Sequence, residues 1–139
     1  MNTIIELRKE DDTINLAKKL APSLKCGDVI ALFGELGVGK TFFTKHLCRF
    51  LDVTENVSSP SYVLMNEYSG KFPIFHFDFF RLDSKDELLE LGLYDIFDQG
   101  VTIIEWPEIA DNLLPENTIR IEFSFEDSYR KVRIVEKLT

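Results

Sequence analysis

Short apolar runs alternate along this chain with stretches whose apolar residues recur every three or four positions. TIIEL, Thr3 to Leu7, is a brief β-branched run that reads as a strand. In DDTINLAKKLAPSL, Ile14, Leu16, Ala17 and Leu20 form a helical stripe; Asp11 or Asp12 is placed to cap it, and Pro22 ends or kinks it. GDVIALF opens on a turn signal and continues as an apolar run bounded by glycine, the pattern of a strand buried on both faces. KTFFTKHLCRFL returns to helical spacing, with Phe43, Leu47, Phe50 and Leu51 on one face.

The second half continues the alternation. VSSPSYVLMNEYSGKFPIFHFDFF reads as two strands joined by a tight turn at Ser69-Gly70. SKDELLELG is a helix with a capping box of Ser84 and Glu87, stopped by Gly92. VTIIEW is another buried strand, after which Pro107 suits the first turn of a short helix, PEIADNLL. TIRIEFSF alternates, YRKVRIVEKL is apolar at Val132, Ile134 and Leu138, and the two predict a hairpin across EDS. The order β-α-β-loop-α-β-β-α-β-α-β-β predicts an α/β fold, three-layered around a mixed central sheet and closed by a C-terminal β-hairpin. No repeat, linker or low-complexity segment divides it, so a single domain over residues 1–139 is expected.

Composition changes the picture in one respect. The formal net charge is −8, and an acidic domain is a poor binder of nucleic acid by itself, because phosphate contacts need a basic surface. The opening MNTIIELRKEDD has no long apolar run, and no stretch reaches membrane-spanning length. Together with the two cysteines, Cys26 and Cys48, this sets the expectation of a cytoplasmic protein with reduced thiols and no membrane partner.

The chemistry begins at GELGVGKT. Gly34, Gly39, Lys40 and Thr41 match G-x-x-x-x-G-K-S/T, with Glu35, Leu36, Gly37 and Val38 between the glycines. A loop that wraps a triphosphate must turn its backbone N–H groups inward, and glycines allow that path. Lys40 supplies a point charge for the β and γ phosphates, the Thr41 hydroxyl is placed to ligate Mg2+, and the following helix adds its positive end. The motif requires a strand before it and a helix after it, and both are predicted.

Such a loop needs an acid on a neighbouring strand to hold the metal or its water shell. IFHFD ends in Asp78 and VTIIE ends in Glu105; from the residues alone either fits. His76, on a strand among aromatics, reads as a packed, hydrogen-bonded histidine in preference to a catalytic one. Trp106 follows Glu105 and either shields the phosphates or joins the core. SSPSY, Ser58 to Tyr62, is a loop entering a strand; in a phosphate-loop protein, it is also where a γ-phosphate sensor would lie, with Ser61 the candidate.

GELGVGKT, SSPSY, HFDFFRL, LELGLYDIF and IEWPE, in this order and spacing, closely resemble the TsaE family (also called YjeE), from about Thr13 to Arg130. These are small bacterial P-loop ATPases needed to make threonylcarbamoyladenosine in tRNA. The resemblance implies a P-loop NTPase domain that binds ATP and Mg2+ and acts with the TsaD and TsaB proteins. TsaD transfers the threonylcarbamoyl group, ATP hydrolysis permits repeated cycles, and tRNA is met only through the partners. By residue it implies that Lys40 holds the β and γ phosphates and that Thr41 and Glu105 ligate Mg2+. Asp78 would act near the metal and the attacking water, Trp106 would neighbour the nucleotide, and the segments near Thr13 and Arg130 would approach the base. The chain departs from the family pattern in reading Ser59-Pro60-Ser61 where Ser-Pro-Thr is usual, and in carrying Phe80 before Arg81 where a tyrosine is usual.

Two other classes compete. A small-molecule kinase usually has a lid carrying arginines, and between Ser84 and Asn117 there is no arginine and one lysine, Lys85. A GTP-dependent switch selects guanine with Asn-Lys-x-Asp, which is absent.

Overall fold

The computed structural model describes residues 2–60 and 64–136. Its elements are β1 (Asn2–Leu7), α1 (Glu10–Leu20), β2 (Val29–Phe33), α2 (Lys40–Phe50), β3 (Met65–Ser69), β4 (Pro73–Asp78), α3 (Asp86–Glu90), α4 (Leu93–Phe97), β5 (Val101–Glu105), β6 (Ile119–Phe125) and β7 (Arg130–Val135). Short 3-10 turns follow α1, at Ala21–Ser23, and β5, at Pro107–Leu113. The strands form one seven-stranded sheet in the order β1-β7-β6-β2-β5-β4-β3. β2 runs parallel to β5 and β6, and β4 parallel to β5, while β1–β7, β6–β7 and β3–β4 are antiparallel. The mixed sheet and the C-terminal hairpin are as the alternation predicts.

Period-two alternation distributes the strand residues to two cores. Ile30, Leu32, Val101, Ile103, Ile74, Ile121 and Val132 pack with Leu16 and Ala17 of α1 and Phe43, Leu47 and Cys48 of α2. Val29, Phe75, Phe77 and Ile104 pack on the other face with Leu88, Leu93, Phe97 and Ala110. The sheet is therefore covered on both sides. Both cysteines are free, and burial pushes the Cys48 thiol up to about 12, so it acts as a small apolar side chain. Phe43, fully buried and edge-on to Phe123 at 5.9 Å between centroids, fastens α2 to the sheet. Phe43→Ala is expected to lower stability by about 3–5 kcal/mol through the cavity it leaves. Urea unfolding measures this, and a loss below about 1 kcal/mol would contradict the packing role assigned to that ring.

Four local readings differ from the structure. The N-cap of α1 is Lys9, not Asp11 or Asp12; Asp12 lies one turn in, and its carboxylate accepts from the N–H groups of Arg8 (2.9 Å) and Lys9 (3.2 Å). The connection between β3 and β4 is Gly70–Phe72, because Ser69 pairs with Pro73. It is clamped against the end of α2: Lys71 N donates to Leu51 O at 2.8 Å, and a Cβ on Gly70 would sit 2.3 Å from that same oxygen. The Ser84–Glu87 capping box does not form, since α3 starts at Asp86 and the Ser84 hydroxyl accepts from Asp86 N at 3.1 Å. Gly92 does stop α3, in the left-handed region at φ 75°, but the same residue starts α4, which the apolar pattern of LYDIF does not by itself announce.

Candidate functional site

Three strand ends meet where the parallel strands finish. Leu32 is the register partner of Glu105, and Glu105 of Asp78, so both acids stand in a row at the C-terminal ends of β5 and β4. The glycine loop leaves the end of β2 beside them. In an open parallel sheet this edge is where ligands bind.

The loop's backbone explains its glycines. Gly37 and Gly39 have φ of 80° and 114°, conformations that side-chain-bearing residues rarely adopt. Gly34, at φ 143°, is also packed so closely that an added Cβ would lie 2.9 Å from Phe123 O. Gly39 directly precedes α2, which begins at Lys40 and so aims its N-terminal N–H groups at the loop's interior.

Thr41, on the first turn of α2, faces Glu105, its hydroxyl 2.9 Å from Oε1 and 3.1 Å from Oε2. Glu105 is only 3% exposed, so its carboxylate depends on these partners and on His76, whose Nε2 is 2.6 Å from Glu105 Oε2. Asp78 is held from both sides: Oδ2 accepts from the Ser59 hydroxyl at 3.0 Å and Oδ1 from Phe80 N at 2.9 Å. The Lys40 ammonium donates to Gly34 O and lies 3.6 Å from the centroid of the Trp106 ring. Burial holds its pKa below the usual lysine value, while Glu105, Glu108 and Asp78 pull the other way. Trp106 itself sits at φ 55°, uncommon for an aromatic residue, and its ring packs on Phe80 at 4.8 Å between centroids. That tilted contact uses the Phe80 ring alone.

Leu36, Gly37, Gly39, Lys40, Thr41, Asp78, Glu105 and Trp106 thus border one cleft of about 430 Å³. A second, of about 630 Å³, opens on the other side of the loop, where Gly37, Val38 and Gly39 meet Thr13, Phe42 and Arg130. There Arg130 Nη2 donates to Gly37 O at 3.4 Å, and the Arg8 guanidinium lies 4.1 Å over the Tyr129 ring, tying the hairpin tip to the start of α1. Glu35 lines neither cleft; its carbonyl accepts from Val38 N at 3.2 Å and closes the loop's turn. Ser61 lies outside the described residues. Sequence reasoning missed Phe42, Phe80, Tyr68 and Ser59 as site neighbours; Ser59 stood in the quoted SSPSY, and its hydroxyl was the available signal.

A glycine loop between a central parallel strand and a helix, with acids at the ends of the adjacent strands, defines a P-loop nucleotide-binding domain of the NTPase class. The family described as "Threonylcarbamoyl adenosine biosynthesis protein TsaE" matches residues 7–133. The chain belongs to the TsaE family, and its role lies in the threonylcarbamoyladenosine modification of tRNA. It is 36% identical over 134 residues to the tRNA threonylcarbamoyladenosine biosynthesis protein TsaE of Rickettsia bellii, covering 95% of this chain and 93% of that one. With the protein of the same name from Bacillus subtilis it shares 38% over 113 residues, covering 80% of this chain and 70% of the relative. Among solved structures, the crystal structure of YdiB from Bacillus subtilis superposes with a TM-score of 0.80 at 29% identity, covering 98% of this chain and 86% of that one.

Proposed function

We propose that the chain binds ATP with Mg2+ at the first cleft and hydrolyses it, slowly alone and faster when TsaD and TsaB dock. The observation that carries this reading is the Thr41–Glu105 contact beside the glycine loop, with both Glu105 oxygens within 3.1 Å of the hydroxyl. The donor set fits the metal. Among the described residues there is no cluster of three or more His, Cys, Asp or Glu side chains that would make an all-protein cage. Mg2+ does not ask for one: it takes one or two protein oxygens and fills its shell with phosphate and water. Thr41 and Glu105 would hold it, and when bound it would neutralise charge on the transferring phosphate.

The remaining work falls to the chain. Lys40 turns from Gly34 O and Trp106 toward the β and γ phosphates. The loop's N–H groups and the start of α2 bind the same oxygens. Asp78, fixed by Ser59 and Phe80 N, orients the attacking water, and Ser61 senses the γ-phosphate. Thr13, Phe42 and Arg130 border the base on the loop's far side, and Trp106 walls the phosphate side. The chain does not itself transfer the threonylcarbamoyl group, which is TsaD's task.

Partner dependence has a physical motive. Phosphoryl transfer needs positive charge over the γ-phosphate, and it often comes from an arginine supplied by a partner, worth about 10³–10⁵ in rate in the best-studied cases. The cleft is bordered by Arg81 and by the exposed Leu36 and Phe80, 78% and 59% accessible. With a net charge of −8, the chain suits docking on proteins that hold the tRNA, so its contact with tRNA is indirect. Among the described residues no helix is long and apolar enough to cross a membrane, and the site of action we assign is the cytoplasm.

The test is steady-state phosphate release from the purified chain, alone and with the TsaD–TsaB pair, at matched ATP. Release is expected to be slow alone and to rise with the pair. Full activity alone, unchanged by the pair, would favour the small-molecule kinase instead.

A further inference from the structure

His76 is a buried titratable side chain at the site that the proposed chemistry leaves unused. It is fully buried in β4, with both ring nitrogens facing polar atoms. Nε2 is 2.6 Å from Glu105 Oε2 and Nδ1 is 3.3 Å from the Tyr68 hydroxyl. The proton on Nε2 follows from its partner. An ionised carboxylate only accepts, so the 2.6 Å contact to Glu105 Oε2 places the ring proton of that contact on Nε2. On the other side of the ring, Tyr68 Oη donates to Ser58 O at 3.2 Å and accepts from Asn66 Nδ2 at 3.3 Å and from Ser58 N at 3.4 Å. Nε2–H is the donor that the Glu105 carboxylate needs.

We propose that His76 is a positioning residue. It donates from Nε2 to Glu105 and fixes that carboxylate's orientation toward Thr41, while the Tyr68 hydroxyl, 3.3 Å from Nδ1, holds the ring in place and links it to the backbone at Ser58. The chain Ser58–Tyr68–His76–Glu105–Thr41 joins the SSPSY loop to the metal-holding pair across β3, β4 and β5. The geometry follows a general rule: removing a partner that orients a metal ligand typically costs about 10- to 100-fold in metal affinity. The proposal rests on the MgATP reading for what Glu105 holds, but the hydrogen-bond order stands without any ligand.

Two variants of similar polarity separate positioning from packing. His76→Gln places an amide N–H near the Nε2 position; His76→Asn places one near Nδ1, out of reach of Glu105. Calorimetric titration of ATP, with Mg2+ and with EDTA, is expected to show the Mg2+-dependent gain in affinity kept by wild type and His76→Gln. In His76→Asn that gain shrinks about 10-fold or more, while affinity in EDTA stays level. Both variants behaving alike, or losing affinity equally with and without the metal, would overturn positioning. A wild type with no Mg2+ gain would sink the MgATP reading instead. In that case, nitrogen NMR of the ligand-free imidazole decides the hydrogen-bond order: an Nε2–H tautomer supports it and an Nδ1–H tautomer overturns it. Should His76→Asn not fold, Tyr68→Phe keeps the ring and removes the hydroxyl. The Mg2+ gain is then expected to shrink, and an unchanged gain would count against the proposal.

Discussion

Lys40→Ala is expected to weaken ATP binding by about 10- to 100-fold, the worth of a hydrogen bond to a charged group, and to cut hydrolysis by a further 10² to 10³, roughly what one preorganised donor contributes. Lys40 is 4% exposed as a residue and stands on a loop whose other donors are neutral N–H groups, so no second cation on the loop replaces it. The side chain also packs under the Trp106 ring, so its removal has a structural cost that must be kept apart. Lys40→Met keeps most of the length without the charge and should reproduce the binding loss with an unchanged melting temperature. ATP affinity and turnover equal to wild type in both variants, by calorimetry and phosphate release, would sink the assignment of the glycine loop to phosphate binding.

Glu105→Gln carries the second large effect. The amide is nearly isosteric: its oxygen still accepts from His76, and its NH2 reaches the Thr41 oxygen, so the fold should survive. What is lost is the negative charge beside Thr41. The expected result is a Mg2+ requirement raised by about 10- to 100-fold, with turnover at saturating metal still depressed. Asp78→Asn, by contrast, should lower turnover with little change in Mg2+ requirement, because Asp78 is held by Ser59 and Phe80 N and not by Thr41. A metal titration of the two variants side by side reads this directly. A shift in Asp78→Asn with none in Glu105→Gln means that the two roles are exchanged.

What could be read without coordinates was what is local. The strands and helices come from periodicity within a few residues, and the glycine loop from a contiguous motif whose flanking strand and helix are also contiguous. The two acids were recognisable as strand-terminal carboxylates. Their relation to Thr41 was not: Glu105 lies 64 positions from Thr41 and 29 from His76, and only the β2–β5–β4 register brings them together. The same holds for the sheet order, which places β6 next to β2 though nearly ninety residues separate them. Caps failed for a different reason. Lys9, Lys85 and Asp86 show that a helix takes its start from the chain's entry path as well as from the nearest good capping side chain. α4 was hidden because Gly92 is at once a stop and a start, and five residues are too few to display a period. His76 reads from sequence as a packed, hydrogen-bonded histidine, and the structure agrees; that its partner is a site carboxylate required the neighbouring strand.

We propose that ATP hydrolysis at this cleft serves repeated rounds of tRNA modification by TsaD and TsaB. The most direct measurement is the amount of threonylcarbamoyladenosine formed per TsaD, by nucleoside digestion and mass spectrometry, in a reconstituted reaction with TsaB, unmodified tRNA and a ready-made activated threonylcarbamoyl donor in excess. With this chain and ATP, several modified tRNAs per TsaD are expected. Without the chain, with Glu105→Gln, or with a non-hydrolysable ATP analogue, the yield should stop near one. Multiple rounds in the absence of the chain, or equal rounds with the non-hydrolysable analogue, would contradict the account.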